Sequence, residues 1–171
     1  PFGRVFGSGT LLDTARFRMH LSKSINVNPT SIHTYILGEH GDSSFAPVSM
    51  ATIGGKPLLS FPEMSHDHIK WALDETRKDA YKIIKGKGAT YYGIANALSH
   101  IVESIARDSK KIIPLSTVLS GQYGLENIAL SLPCILGRNG VETVIDLPLT
   151  LEEQASLNAS ATILKSIRDE L

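Results

Sequence analysis

One histidine stands in a setting suited to chemistry. In the stretch ILGEHGDSS, residues 36–44, an apolar run breaks into a bend that flanks His40 with two glycines and two acids. An imidazole titrates near neutrality, so it can donate or accept a proton, and it can also ligate a metal. Metal is the weaker choice, because His20, His33, His40, His66, His68 and His100 show no HExxH spacing and no cysteine cluster accompanies them. A proton-transfer histidine needs a carboxylate on its second nitrogen to fix the tautomer and stabilise the imidazolium. Glu39 and Asp42 are close in sequence, but such near neighbours rarely fold back onto the ring. Asp13, in LLDTARFR, is the alternative, and Arg16 three residues later projects about 60° away on the same helical face. One face would then offer an acid for the histidine and a guanidinium fork able to hold a carboxylate by two parallel hydrogen bonds. On spacing alone, a helical i, i+3 ion pair between Asp13 and Arg16 is the simpler reading.

The elements that must position these groups follow from periodicity. Leu12, Ala15 and Met19 recur at helical spacing over Leu11 to Ser24, and Asn28-Pro29 ends that segment. SIHTYIL, residues 31–37, is rich in β-branched residues and reads as a buried strand leading into the His40 bend. ATIGGKPLL predicts a short strand pair turning at Gly54-Gly55. Ser65 is placed to cap a long helix carrying Ile69, Leu73, Ala80, Ile83 and Ile84. KGKG interrupts it, and Ile94, Leu98, Ile101, Val102 and Ile105 restart an apolar stripe. From Lys110 to Leu149 the texture changes to IIPLSTVLS, NIALSLPCIL and VETVIDLPL, three strands of an antiparallel meander with a hairpin signal at Asn139-Gly140. Thr150 and Glu153 form a capping box before a final helix. Trp71, Tyr91 and Tyr92 are expected to pack between helices. The fold class is therefore α+β, antiparallel strands packed against long helices in one continuous domain over residues 1–171.

Composition narrows the function. The 171 residues carry 17 basic and 17 acidic side chains with no long block of either sign, which argues against nucleic acid or an anionic membrane as partner. The lone Cys134 lies in the apolar run LSLPCIL, reads as an inert buried thiol, and suits a reducing cytoplasm. The start, PFGRVFGSGT, has neither part of a signal peptide and no initiator methionine, so the chain reads as a mature fragment or the later part of something longer. No GxSxG elbow supports a hydrolase.

In this order, GSGTLLDTARFR, LGEHGDSS, KGKGATYYGIA and GQYG resemble the L-lactate and malate dehydrogenase family, and only its C-terminal, substrate-binding half. The resemblance implies that His40 is the proton donor and acceptor, that Asp13 orients it, and that Arg16 clamps the substrate carboxylate. Thr90 would lie beside the substrate, Ile94 against the nicotinamide of NAD, and Ser8 near its carboxamide. The implied reaction is hydride transfer between the nicotinamide and a small 2-oxo or 2-hydroxy acid. Glu39 and Thr90 fit the lactate side of the family, hence pyruvate and L-lactate. Malate and the larger 2-hydroxy acids of the hydroxyisocaproate dehydrogenases compete.

Arg18 sits about 200° around the helix from Arg16 and must serve another place. Bacterial lactate dehydrogenases activated by fructose 1,6-bisphosphate have an arginine and a histidine matching Arg18 and His33, which implies an allosteric phosphate site in a homotetramer. GSGTLL is not a dinucleotide fingerprint, since Leu12 stands where GxGxxG needs glycine. An N-terminal Rossmann NAD-binding domain is expected outside this chain, and the chain alone is expected to have little or no activity. The competing class is a non-catalytic domain that assembles through its helices and binds phosphorylated metabolites at Arg18 and His33.

Overall fold

Helix α1, Leu11–Ile25, is the element on which the rest is assembled; the computed structural model describes residues 3–170. Its buried side carries Phe17 and Leu21, both fully enclosed, and it ends at Asn26, whose left-handed backbone stops the helix. Helix α2, His66–Lys87, packs along α1 after starting at Ser65, whose hydroxyl accepts the His68 amide, and it ends at Gly88 with φ 82°. Helix α3, Tyr92–Ala106, crosses α1 near its own start, where Gly93 leaves room for Leu12. Helix α4, Leu151–Asp169, opens on the expected capping box of Thr150 and Glu153, with both reciprocal hydrogen bonds formed.

Among the described residues, two antiparallel sheets complete the α+β fold. The larger takes β4, Lys111–Ser120, β5, Glu126–Gly137, and β6, Gly140–Val144, in sequence order, so it is the expected meander. Lys111 faces Leu136 and Val118 faces Ala129, with a bulge before Ser120. The second hairpin turns at Arg138-Asn139, with Gly140 at φ 98°. The smaller sheet has only β1, Ile32–His33, β2, Thr52–Ile53, and β3, Lys56–Pro57, the last two joined by the predicted Gly54-Gly55 turn.

Among the described residues, three apolar clusters fill the interior. One joins Phe17, Leu21, Ile32, Ile36, Met64 and Ile69 between α1, α2 and the small sheet. A second joins Leu37, Phe45, Leu130, Leu132 and Leu157 between β5 and α4. The third joins Ile101, Leu115, Cys134 and Leu136 between α3 and the large sheet, and burial pushes the Cys134 thiol up to about 11.

Three expectations need correction. SIHTYIL is not a full strand: only Ile32 and His33 enter a ladder. Beyond them side chains of α1 and its cap satisfy the backbone, Thr14 Oγ1 accepting the Ile36 amide at 2.9 Å and Thr10 Oγ1 donating to the Ile36 carbonyl at 2.5 Å. Likewise, VETVIDLPL leaves the sheet after Val144. Trp71, Tyr91 and Tyr92 are not enclosed between helices, although Trp71 of α2 meets His20 of α1 in a T-shaped contact with ring centroids 5.9 Å apart. The three are 46%, 48% and 73% exposed, with Trp71 against the His68 ring and the two tyrosines edge to face.

Candidate active site

The His40 bend leaves the core between two fixed points. Leu37 and Phe45 pair with each other in both directions, and Gly38 pairs with Ser131 of β5 in both directions. The intervening residues therefore form a short span anchored at each end to buried backbone, and His40 projects from its middle. The ring is 64% exposed, as a group that must meet a substrate has to be.

Its Nδ1 lies 2.5 Å from Asp13 Oδ2, across 27 residues of sequence. Asp13 comes from the first turn of α1 and is buried, so its carboxylate reaches the ring from inside the molecule. This hydrogen bond raises the His40 pKa above the ordinary imidazole value. Desolvation and the nearby Arg16 guanidinium oppose the rise, and the Asp13 and Glu39 charges add to it. With Nδ1–H donated to Asp13, Nε2 is the nitrogen left to act.

Arg16 follows one helical turn after Asp13 and lines the same cavity of about 130 Å³ as Asp13, His40, Gly41 and Asp42. The i, i+3 ion pair open on spacing is not the arrangement found: the Asp13 carboxylate faces His40. A second cavity of about 240 Å³ continues from it, lined by Ser8, Leu12, Arg16, His40, Thr90 and Ile94. Thus six of the eight residues singled out from sequence converge, with His40 and Arg16 common to both cavities.

Arg18 and His33 lie elsewhere. Arg18 sends Nε and Nη2 to the Thr34 carbonyl at 3.0 and 2.6 Å and lies 5.5 Å from the Tyr35 ring centroid. His33, one residue before Thr34, is exposed on β1. Among the described residues, no group of three or more His, Cys, Asp or Glu is arranged to hold a metal ion, and no helix is long and apolar enough to cross a membrane.

One wall of the site was not anticipated. Thr76, Arg77, Ala80 and Tyr81 of α2 line the His40 cavity, and Arg77 Nη2 donates to the Ser44 carbonyl at the far end of the bend. Arg77, Ala80 and Tyr81 share a face at i, i+3 and i, i+4, a signal visible in sequence but not distinguishable there from an ordinary solvated face. Glu39 acts on the imidazole through its charge and not through a hydrogen bond. Its carboxylate accepts a hydrogen bond from the Ser43 hydroxyl.

The sequence model of the lactate/malate dehydrogenase α/β C-terminal domain matches residues 10–171. The L-lactate dehydrogenase of Thermoanaerobacter sp. strain X514 is 47% identical over 176 residues, covering 100% of this chain and 57% of that enzyme. The L-lactate dehydrogenase of Lacticaseibacillus casei is 44% identical over 171 residues, covering 98% and 52%. The crystal structure of the minor L-lactate dehydrogenase of Enterococcus mundtii superposes with a TM-score of 0.96 at 40% identity, covering 100% of this chain and 56% of that one. The chain thus spans about half the length of these relatives. A match that runs through all four helices and both sheets leaves one assignment: this chain belongs to the lactate/malate dehydrogenase family, as its C-terminal α/β domain.

Proposed function

We propose that this chain is the substrate-binding and catalytic half of an NAD-dependent L-lactate dehydrogenase, interconverting pyruvate and L-lactate. The observation that supports this most is the 2.5 Å contact between His40 Nδ1 and Asp13 Oδ2 beside a cavity shared with Arg16. Asp13 holds the Nδ1 proton, so Nε2 gives a proton to the carbonyl oxygen of a 2-oxo acid, or takes one from the hydroxyl of a 2-hydroxy acid. The raised His40 pKa favours the protonated ring that the oxo acid requires, whereas the hydroxy acid requires the neutral ring to take up its proton. Positioned acid catalysis of this kind contributes about 10²–10⁴-fold.

Arg16 grips the substrate carboxylate through two parallel hydrogen bonds, setting its angle as well as its distance, and Thr90 lies beside the substrate. The neighbouring pocket offers an apolar wall in Ile94 and Leu12 and a hydroxyl in Ser8, the residues that would hold the nicotinamide. Hydride would be supplied or taken up by NAD held there. Its adenosine and pyrophosphate are held by a separate N-terminal nucleotide-binding domain, without which the chain has little or no activity.

Arg18 of α1, which donates to the Thr34 carbonyl, and His33 of β1, the residue before Thr34, bind a phosphate of fructose 1,6-bisphosphate between subunits of a homotetramer acting in the cytoplasm. Relatives named as L-lactate dehydrogenases, together with Glu39 and Thr90, favour pyruvate over the larger or dicarboxylic 2-oxo acids. The test is NADH oxidation by the intact enzyme with pyruvate, oxaloacetate and 2-oxoisocaproate. We expect kcat/KM to be about tenfold or more higher for pyruvate. A higher value for either competitor would reassign the substrate.

A further inference from the structure

We propose that Ser160, on α4, is a positioning residue for His40, acting through a closed chain of hydrogen bonds with Ser43 and Glu39. The assignment rests on His40 being the proton-transfer group. Asp13 fixes the ring, but nothing in that contact fixes the backbone that carries it. The amide immediately before His40, the Glu39 N–H, donates to Ser160 Oγ at 2.7 Å across 121 residues of sequence. Ser160 is fully buried. Its own proton has a near acceptor in Ser43 Oγ at 2.9 Å, against 3.5 Å for the Ser43 carbonyl. Ser43 in turn donates to the Glu39 carboxylate. A backbone N–H only donates and a carboxylate only accepts, so the chain has one direction: Glu39 amide to Ser160, Ser160 to Ser43, Ser43 to Glu39 Oε2. Each hydroxyl gives once and accepts once.

The two glycines that flank His40 are what this arrangement requires. Gly38 has φ 88°, and a Cβ on it would stand 2.5 Å from Ser160 Oγ. A Cβ on Gly41 would stand 2.5 Å from the Glu39 carboxylate, which folds back over the bend. Glycine on one side admits α4, and glycine on the other admits the side chain that closes the chain. Without the Ser160 hydroxyl the Glu39 amide loses its partner in a part-buried setting, and the bend can recover one only by moving. A displacement of about 1 Å in a catalytic group costs on the order of 10²-fold in rate. Arg16 stands on α1, outside the chain of hydrogen bonds, so substrate binding should be affected less than turnover.

The test compares Ser160→Ala, Ser43→Ala and Ser43→Thr with the parent by two readouts. The first is the His40 imidazole titration followed by NMR in this chain, with exposed His33 as internal control. Both alanine variants should move the His40 midpoint down toward the ordinary imidazole value and leave His33 in place, and Ser43→Thr should restore it. The second is pyruvate reduction by the intact enzyme: kcat should fall about tenfold or more while KM changes less than about threefold. Parental titration and parental kcat in folded alanine variants would overturn the proposal. If Ser160→Ala does not fold, Ser43→Ala, at a half-buried position, decides alone. An intact parent that reduces no 2-oxo acid would refute the dehydrogenase assignment, and the titration would still decide the role of Ser160.

Discussion

Replacing Asp13 by asparagine removes one charge and almost no volume, so its effect isolates the electrostatic part of the His40 contact. An asparagine oxygen can still accept the Nδ1 proton; only the charge assistance is lost. Hydrogen bonds to charged groups contribute about 1.5–3 kcal/mol and neutral ones about 0.5–1.5, a difference near 1 kcal/mol. The ring is 64% exposed, and solvent screening holds the effect to that figure or below. The sign depends on pH. Because the folded state raises the His40 pKa, the stabilisation is fully present below the ordinary imidazole value near 6.5 and is lost as pH rises through the folded value. Above that, the buried Asp13 carboxylate faces a neutral ring, its desolvation is less offset, and the amide should be neutral or better. Urea unfolding of parent and Asp13→Asn at pH 5.5 and pH 8.5 reads this directly. We expect the variant to be about 1 kcal/mol less stable at pH 5.5 and the gap to close or reverse at pH 8.5. A gap of equal size at both values, or a larger one at pH 8.5, would refute the charge-based account.

Further outcomes follow from the same geometry. Arg16→Lys keeps the charge but loses the planar fork, so KM for pyruvate in the intact enzyme should rise about tenfold or more, with kcat falling as orientation is lost; steady-state kinetics decide. Arg18→Gln removes the cation that holds the Thr34 carbonyl beside His33. Under the proposed phosphate site, it should abolish any activation of the parent by fructose 1,6-bisphosphate and leave the uneffected rate within about twofold, as measured by titrating the effector into the intact parent and variant.

The parts of the fold legible in sequence were those fixed by local chemistry. Ser65, Thr150 and Glu153 cap helices by bonds within three residues, and Gly54-Gly55 turns a hairpin by backbone freedom alone. The illegible parts depend on distant partners. SIHTYIL reads as a strand because its residues are β-branched, yet Thr10, Thr14 and Arg18 supply the backbone partners that a neighbouring strand would have given. The half-exposed Trp71 has the same origin: helical spacing shows that a face exists, not how fully another element covers it. The α3 stripe illustrates this, with Ile101 buried and Val102 62% exposed. At the site, residue chemistry suggests the Asp13–His40 contact that is found, but spacing alone favours an ion pair between Asp13 and Arg16, and it is the family resemblance that implies the roles of all three. Ser160 is not legible, since a serine within a helix carries no signal of the amide that it meets 121 residues away.

The account turns on His40 as the group that moves the proton, and His40→Asn in the intact enzyme tests it most directly. Asparagine fills part of the space and can bond to Asp13, but it cannot carry a proton at neutral pH. Pyruvate reduction should lose about 10²–10⁴-fold in kcat with KM changed far less, and the residual rate should no longer follow the His40 titration. A variant that keeps a kcat within about threefold of the parent, with the same pH profile, would show that the proton comes from elsewhere and would return the domain to a binding or assembly role.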